Sequence, residues 1–541
     1  MLVKSIKLNE YIFSSETFFI VSLINLILFS VLTAYNSRFK FPLMQSALIN
    51  LSCYMLFLYS ILLYNEDLST IKLTSFFNSI CSDYLSFVSK TIITITSIIC
   101  LIFIKDYIIK QKINKVEYTI ILLFSILGLL ILCSANDLLT VYLGMELQSL
   151  SFYLLAAYKK NSSYSVDAGL KYFILGSFSS SLFLFGSSFI YLAYGSINFD
   201  DISLLSHHHL LIRQDYDGTY ASFTFWFELI NSRWFEISNT PSGEPDYSSL
   251  LNYEWKFENF VITGLLLIFF SLFFKLSLAP FHLWSPDVYE NSPTSSSFFF
   301  AVVPKISILV VLVRLLYSPF LFTFDSIQEL LLLISVFSVM AGSLGGIYQR
   351  KMKSLLAYSS ISHMGYLMIS LSSGSLEGFQ MLFCYLIVYT ITGLCIWSVI
   401  IMIRLKKTDH IKQNKDLADF ALLCKSNYVL ALIFMSSLFS VAGIPPLVGF
   451  IAKMNIFLVA IKNKFYIVSI ISVLFSVIST FFYLRLIKIM YFESLLVGRL
   501  YFPIKSFKVF IIILLFFSLV LFFINPTFLY LLSFKISHLF M

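Results

Sequence analysis

Fourteen apolar stretches, most of them about 20 residues long, divide this chain, and they constrain its fold more than any other feature. A helix of that length crosses a bilayer and satisfies its own backbone polar groups, as hydrocarbon requires. Only 12% of the residues are charged, about half the usual fraction of a soluble protein. The sequence therefore predicts an all-α polytopic membrane protein with spans near 16–35, 44–64, 86–104, 117–135, 138–158, 169–194, 259–280, 295–316, 327–347, 354–373, 379–403, 428–458, 464–490 and 508–532.

Two of these spans contain residues that interrupt a helix. In the seventh, Lys275 is followed by Pro280. The twelfth, 428–458, is too long for one straight span and contains Gly443 and the Pro445–Pro446 pair. A broken helix leaves backbone groups free, which a membrane protein tolerates only inside the protein or along a wet cavity. The sequence predicts that spans seven and twelve are broken helices beside an ion path.

The two broken spans are five apart, so the chain crosses the membrane in opposite directions in them. Interrupted spans in corresponding places predict two inverted five-helix repeats, spans 4–8 and 9–13, with a site at the midplane. We expect six segments: three N-terminal helices (1–115), helices 4–6 (116–196), an acidic insertion (197–258), helices 7–8 (259–318), the second repeat (319–490) and a C-terminal helix (491–541).

The basic residues predict an orientation. With both termini outside, 22 of the 37 Lys and Arg residues fall on the inner side and ten on the outer side, as the positive-inside rule requires. The net charge of +8 is then ordinary for a multi-span protein, and we expect no nucleic-acid partner. The insertion, with ten acidic and three basic residues, lies on the outer face. His207–His209 within it resembles a metal site in composition, but we expect a solvated loop, because three adjacent imidazoles cannot all face one ion.

Several ionisable side chains lie where hydrocarbon is expected. A charge at the centre of a bilayer costs roughly 2.5–3.5 kcal/mol, so it is seldom there without a partner or a water path. Burial opposes charge on a lysine and a carboxylate restores it, so a balanced site can take up and release protons; imidazole exchanges protons near neutral pH. The alternative is that paired charges only lock helices together. The candidates are Glu146 in span five, Lys171 in span six, Lys275 in span seven, Lys305 in span eight, His363 in span ten and Lys453 in span twelve.

Six segments resemble one family closely: YLGMELQSLSFYLL, DAGLKYFILGS, FKLSLAPFHLWSPDVYENSPT, VPKISI, LLAYSSISHMGY and AGIPPLVGFIAK. They are similar to subunit 2 of respiratory complex I, an antiporter-like subunit called N in bacteria. The resemblance runs from about Ala135 to Phe457, and the first three spans fit the longer, non-animal form. The motif PDVYENSPT distinguishes it from the related subunits 4 and 5, which usually carry a different motif there. The lysine at 453 also distinguishes it from subunit 4, which typically has glutamate at that place. The 197–258 segment departs from the shorter bacterial pattern.

The resemblance implies a proton-translocating subunit of NADH:ubiquinone reductase in the mitochondrial inner membrane. The bias toward Phe, Tyr, Ile, Leu, Ser, Asn and Lys is typical of an AT-rich genome and indicates a gene in the organelle. It implies that Glu146 and Lys275 form a coupling pair, that Lys305 and His363 belong to a central polar axis, and that Lys453 lies on the exit side; Lys171 matches another family lysine. The implied partners are other membrane-arm subunits, among them subunits 4 and 4L, and lipids such as cardiolipin.

The resemblance also implies no redox centre or cofactor in this subunit; NADH, flavin, iron–sulfur clusters and quinone belong to the rest of the complex. The sequence agrees, because its seven cysteines form no CxxC pair and no Gly-rich phosphate loop follows a strand. Three alternatives stay open: a sodium/proton antiporter subunit of the Mrp type, a non-pumping scaffold, and a chloroplast homologue. A sodium site favours oxygen ligands, whereas this axis is dominated by lysine.

Overall fold

Helices make up nearly all of the backbone. The computed structural model describes residues 14–34, 45–65, 72–111, 116–214, 247–403, 405–406, 411–412, 416–493 and 506–540. The α-helices in these ranges are α1 Ser14–Ala34, α2 Gln45–Asn65, α3 Tyr84–Lys110, α4 Glu117–Ser134, α5 Leu138–Ala156, α6 Ser163–Tyr194, α7 Phe199–Gln214, α8 Tyr247–Leu276, α9 Trp284–Asn291, α10 Thr294–Tyr317, α11 Phe324–Ile347, α12 Met352–Leu371, α13 Leu376–Met402, α14 Leu423–Ser426, α15 Tyr428–Ala442, α16 Val448–Lys462, α17 Tyr466–Tyr491, α18 Ser506–Ile524 and α19 Thr527–Phe540.

Two short antiparallel hairpins and two 3-10 helices, Leu321–Thr323 and Leu417–Phe420, complete the regular structure of the described residues. The first pairs β1 (Leu73–Ser75) with β2 (Ile80–Ser82), and the second pairs β3 (Leu405–Lys406) with β4 (Ile411–Lys412). An isolated bridge between Ile80 and Ala135 joins the first hairpin to the connection between α4 and α5. This hairpin therefore covers the ends of α3, α4 and α5, on the side that the basic residues predict to be outer.

The predicted class, an all-α polytopic membrane protein, is confirmed. Among the described residues, twelve helices are long and apolar enough to cross a membrane. The two remaining predicted spans, the tenth and the twelfth, coincide with α12 and with the pair α15 and α16. The serines, lysine and histidine of α12 lower its hydropathy, and α15 and α16 are each too short. A total of fourteen spans stays a prediction.

Both helix interruptions lie where the sequence predicts them. Helix α8 ends at Leu276 and α9 begins at Trp284, whereas α15 ends at Ala442 and α16 begins at Val448. Proline supplies no N–H group to a helix, and Gly443 has a positive φ of 83°, which glycine adopts without steric cost. The two predicted broken helices are confirmed.

The two predicted repeats begin with closely packed helix pairs. In the first, a Cβ added at Gly128 of α4 would lie 2.9 Å from the backbone N of Gln148 in α5. In the second, a Cβ at Gly342 of α11 would lie 2.6 Å from the backbone N of Ser362 in α12. Both distances are too short for any side chain, so glycine permits both contacts. The close packing of predicted spans four and five therefore resembles that of predicted spans nine and ten.

The insertion differs from the predicted solvated loop. Phe199–Gln214 is helical, so the expectation of a loop at His207–His209 is wrong for the backbone; the side chains of these histidines lie outside the described residues. The Asn198 side chain accepts a hydrogen bond from Asp200 N at 3.0 Å, and acidic Asp200 and Asp201 favour the first turn of a helix. Helix α8 also begins at Tyr247, twelve residues before the predicted span.

The last predicted span, 508–532, is wrong as a continuous helix. Helix α18 ends at Ile524, and α19 begins at Thr527. Pro526 supplies no N–H group, and Asn525 Oδ1 accepts a hydrogen bond from Thr527 N at 3.3 Å, which starts a new helix.

Helix α10 forms the centre of the structure. Each residue from Thr294 to Tyr317 is buried. Helices α3, α4, α8 and α13 pack against it, so both predicted halves and the N-terminal helices meet there. A polar side chain on α10 is therefore surrounded by protein rather than by lipid.

Candidate functional site

The first candidate pair, Glu146 and Lys275, is the coupling pair that the family resemblance implies, and its two side chains share no hydrogen bond. Glu146 lies in the middle of α5 and Lys275 in the last turn of α8. Lys275 Nζ and Glu146 Oε1 are buried, and neither atom has a hydrogen-bond partner. Helix α6 packs against both α5 and α8. The coupling of Glu146 and Lys275 stays a prediction.

An aromatic side chain of α5 lies beside Lys275. The ring of Tyr153 on α5 lies 6.0 Å from Lys275 Nζ, measured to the ring centroid. An unpaired buried polar group costs roughly 1–3 kcal/mol. Glu146 and Lys275 are therefore two high-energy groups in one interior region, able to influence each other through their charges.

The break between α8 and α9 is stabilised by specific contacts. Trp284 Nε1 donates a hydrogen bond to Phe274 O at 2.9 Å, across the break. The Trp284 ring stacks on Tyr172 of α6, with 4.6 Å between centroids. The hydrogen bond satisfies a carbonyl at the end of α8, and the two contacts together fix the turn that carries Lys275.

Helix α9 is fastened to its neighbours by lysines. Lys171 Nζ lies 2.6 Å from Asp287 Oδ2, and Lys351 pairs with Glu290. Lys353 Nζ donates to Ser292 O at 2.6 Å, beyond the last turn of α9. Because the Lys171 side chain is 54% exposed in the chain alone, the structure does not bring it together with the buried candidates.

Lys305 lies in the buried interior of α10, one residue after Pro304. A proline at 304 leaves Phe300 O without its helical donor, and Tyr289 OH donates to that oxygen at 3.2 Å. Lys305 Nζ donates to Tyr389 OH at 3.1 Å, and Tyr389 OH donates to Ala301 O at 3.0 Å. A tyrosine of α13 therefore receives the lysine at the centre of the molecule.

His363 lies beside this tyrosine. Its Nδ1 is 2.5 Å from Tyr385 OH, and its Nε2 is buried with no hydrogen-bond partner. The imidazole lies 5.6 Å from the Tyr389 ring and 6.2 Å from the Tyr366 ring, measured between centroids. His363 thus bridges the tyrosines of α12 and α13.

Lys453 completes the arrangement from the second broken helix. Its Nζ lies 5.2 Å from the Tyr366 ring centroid and donates to Ala442 O, at the end of α15, at 2.9 Å. A Cβ at Gly443 would lie 2.8 Å from Lys453 Cδ, so the glycine also makes room for the lysine stem.

These residues form one series of neighbouring side chains, Lys305–Tyr389–His363–Tyr366–Lys453, which we call the central chain. Its first link is a hydrogen bond, and the others are contacts between rings or between an ammonium and a ring. The structure brings together three of the six predicted site residues in it, and places Glu146 and Lys275 in a separate buried region. Tyr366, Tyr385 and Tyr389 were not predicted. Their signal was weak, although Tyr385 and Tyr389 are four residues apart and therefore on one face of α13.

The central chain suits proton exchange better than metal binding. Tyrosine hydroxyls donate and accept hydrogen bonds, and a neutral imidazole does both at its two nitrogens. Within the described residues, no group of three or more His, Cys, Asp or Glu side chains could hold a metal ion.

Comparisons with known proteins identify the family of the chain. The family model described as NADH:quinone oxidoreductase/Mrp antiporter, TM, matches residues 135–230 and 236–479. NADH-quinone oxidoreductase subunit N of Pelagibacter ubique is 36% identical over 82% of this chain and 83% of its own length. NADH-ubiquinone oxidoreductase chain 2 of Marchantia polymorpha is 34% identical over 85% of this chain and 84% of its own length.

A solved structure shares the whole fold. A chain of respiratory complex I from Thermus thermophilus, with bound aureothin, superposes with a TM-score of 0.72 at 23% identity, covering 95% of this chain and 97% of that chain. The family model and the sequence relatives both extend over most of the chain. The chain belongs to the NADH:quinone oxidoreductase/Mrp antiporter family of transmembrane subunits.

Proposed function

We propose that protons cross the membrane arm of an NADH:quinone oxidoreductase through this chain, along the central chain. The observation that supports this best is its continuity: a lysine, a tyrosine, a histidine, a second tyrosine and a second lysine lie in contact through the interior. A lysine ammonium gives its proton to a neighbouring acceptor, and hydroxyl and imidazole groups pass protons on while remaining in place.

Each residue has its own part in this proposal. Lys305 and Lys453 are the two groups that change charge, and His363 carries the proton between them while Tyr385 holds its ring. Glu146 and Lys275 form the coupling pair, acting through their fields and through water rather than through a direct bond. Lys171 acts by tethering α9, and so by positioning the break that carries Lys275.

The type of charge favours protons over sodium. In the described residues the central chain contains no carboxylate, whereas a sodium site favours oxygen ligands. The Mrp-type alternative therefore has less support. A scaffold does not require a tyrosine hydroxyl bonded to Lys305 and a second one bonded to His363.

The finer assignments concern the surroundings of the chain. We propose that it lies in a mitochondrial inner membrane beside membrane-arm subunits such as 4 and 4L, with lipids such as cardiolipin at its surface. We also propose that it binds no cofactor itself and that flavin and iron–sulfur clusters belong to other subunits.

Solubilised membranes should show this association directly. On a native gel, mass spectrometry should find the chain in one band with flavin- and iron–sulfur-containing subunits and with NADH dehydrogenase activity. Migration in a band that holds other Mrp-type subunits and no flavoprotein would contradict the complex I assignment. Alkali extraction that removes peripheral proteins is the control, because a multi-span chain should stay in the membrane.

A further inference from the structure

Helix α10 carries a second buried charged side chain besides Lys305, at its C-terminal end. Arg314, in the last turn of this helix, is only 2% exposed and lies between three spans. Its guanidinium donates to Asp83 Oδ1 at 2.9 Å and to Cys133 O at 3.2 Å, and it contacts Cys81 Sγ. Its Nε is buried without a hydrogen-bond partner. An arginine held this way is not a snorkelling end residue.

Asp83 lies between this interior group and the surface. It follows β2 and caps the N-terminus of α3, where Ser86 Oγ accepts a hydrogen bond from Asp83 N at 3.0 Å. The Asp83 side chain is 11% exposed, against 3% for Arg314, so the carboxylate is the outer member of the pair. The β1–β2 hairpin is on the side predicted to be outer.

A polar line continues from Asp83 into the membrane along α3. Ser86, Lys90, Thr94 and Ser97 follow it at intervals of three or four residues, which places them on one face of the helix. All four are buried, and Lys90 pairs with Glu16 of α1. Helix α3 packs against α10, on which Lys305 and Arg314 are nine residues apart, or about 14 Å.

We propose that Asp83, held by Arg314, is the group through which protons leave for the outer face, so that the N-terminal helices supply the end of the path. This inference rests on the proposed function. The proton would move from Lys305 through water to the Asp83 carboxylate, and the resulting carboxylic acid would release it to outer water. This places the exit beyond Lys305, whereas the family resemblance implies an exit on the side of Lys453. Arg314 keeps its own protons throughout, because guanidinium is not deprotonated in proteins.

The electrostatics suit a release group. Burial opposes ionisation of Asp83, but the charge and hydrogen bond of Arg314, the hydrogen bond of Ser86 and the charge of Lys72 together outweigh it and lower the pKa of the carboxyl. A carboxylate of low proton affinity gives up a proton even to an acidic outer side. The fixed charge of Arg314 also opposes the return of cations. The groups that surround Asp83 are Arg314 from α10, the Cys133 carbonyl from α4, Cys81 from β2, Lys72 beside β1, and Ser86 and Lys90 from α3.

The test uses the assembled complex in sealed vesicles, with coupled turnover measured against outer pH at fixed inner pH. Asp83→Asn should lower turnover about tenfold and remove most of its dependence on outer pH, whereas Asp83→Glu should restore both. Asparagine caps a helix as well as aspartate does, so α3 should still form. The matched control is Glu377→Gln on α13, which removes a 56%-exposed carboxylate paired with Lys462 and should change neither property.

A second variant tests the part played by Arg314. Arg314→Lys keeps the charge but cannot hold Asp83 and the Cys133 carbonyl together, so the carboxyl should protonate more easily. The fall in turnover on outer acidification should then begin at a higher pH. An unshifted profile, or wild-type turnover in Asp83→Asn, would overturn the inference.

Variants of the central chain distinguish failure of this inference from failure of the proposed function. If they are impaired while Asp83→Asn is normal, only this inference fails. If they also pump normally, the proposed function fails.

Discussion

Replacing Lys305 by methionine or by arginine should lower coupled NADH:quinone turnover about tenfold or more, within the range expected for loss of a proton-transfer group. Methionine removes the charge. Arginine keeps the charge but cannot release a proton, so it should fail as well if Lys305 is a relay. Both turnover and proton uptake by vesicles should be measured, normalised to the assembled complex.

The control for Lys305 is an exposed lysine. Lys462 lies 2.6 Å from Glu377, and its side chain is 64% exposed, so Lys462→Arg should leave turnover unchanged. If Lys305→Arg pumps like the wild type while Lys305→Met does not, the charge at this position is structural and the relay is wrong.

Glu146→Gln and Lys275→Ala should each slow turnover by a similar large factor. Each removes one charge from a buried region in which neither group has a direct partner, so each changes the ionisation of the other. In a tightly coupled pump, electron transfer cannot run ahead of proton movement. Turnover and proton uptake of the two single variants and the double variant provide the measurement.

The double variant determines whether the two groups act together. If they are coupled by their charges, the loss in Glu146→Gln/Lys275→Ala should be smaller than the combined single losses by about 0.5–3 kcal/mol of activation free energy. Strict additivity would show that Glu146 and Lys275 act independently. Lys275→Arg adds a further comparison, because it preserves the charge and should still fail if Lys275 exchanges a proton.

The sequence predicts much of this fold because the membrane simplifies the problem. A charged or helix-breaking residue within an apolar stretch stands out, and Lys275, Lys305, Lys453 and the Pro445–Pro446 pair were found in this way. Both breaks lie where the prolines predict them. The split at Pro526 was missed because the apolar composition continues across it.

The contacts between helices were harder to predict. Tyr389 and Tyr366 connect the charged groups, but the chain has 32 tyrosines, so their type carries little information. The family resemblance implies that Glu146 and Lys275 form a coupling pair, but only the structure shows that the two side chains share no hydrogen bond. Spacing along a helix gives its faces, whereas the neighbour on each face depends on the whole fold.

The pair formed by Asp83 and Arg314 shows the same limit. These residues are 231 positions apart, and each lies at the end of a span, where charged side chains ordinarily reach water. Lys90 is one of the ten basic residues that the positive-inside count places on the outer side, but α3 begins at Tyr84 and buries its side chain. Only tertiary structure distinguishes a snorkelling end residue from a buried ion pair.

The most direct test of proton transfer along the central chain is the removal of one hydroxyl group. Tyr389→Phe keeps the ring and deletes the oxygen that receives Lys305 Nζ, and Tyr118→Phe is the matched control, because it deletes a buried hydroxyl bonded to Ser295 on the same helix as Lys305. Coupled turnover and proton uptake by vesicles should fall severalfold in Tyr389→Phe and stay unchanged in Tyr118→Phe. Wild-type pumping in Tyr389→Phe would contradict the account.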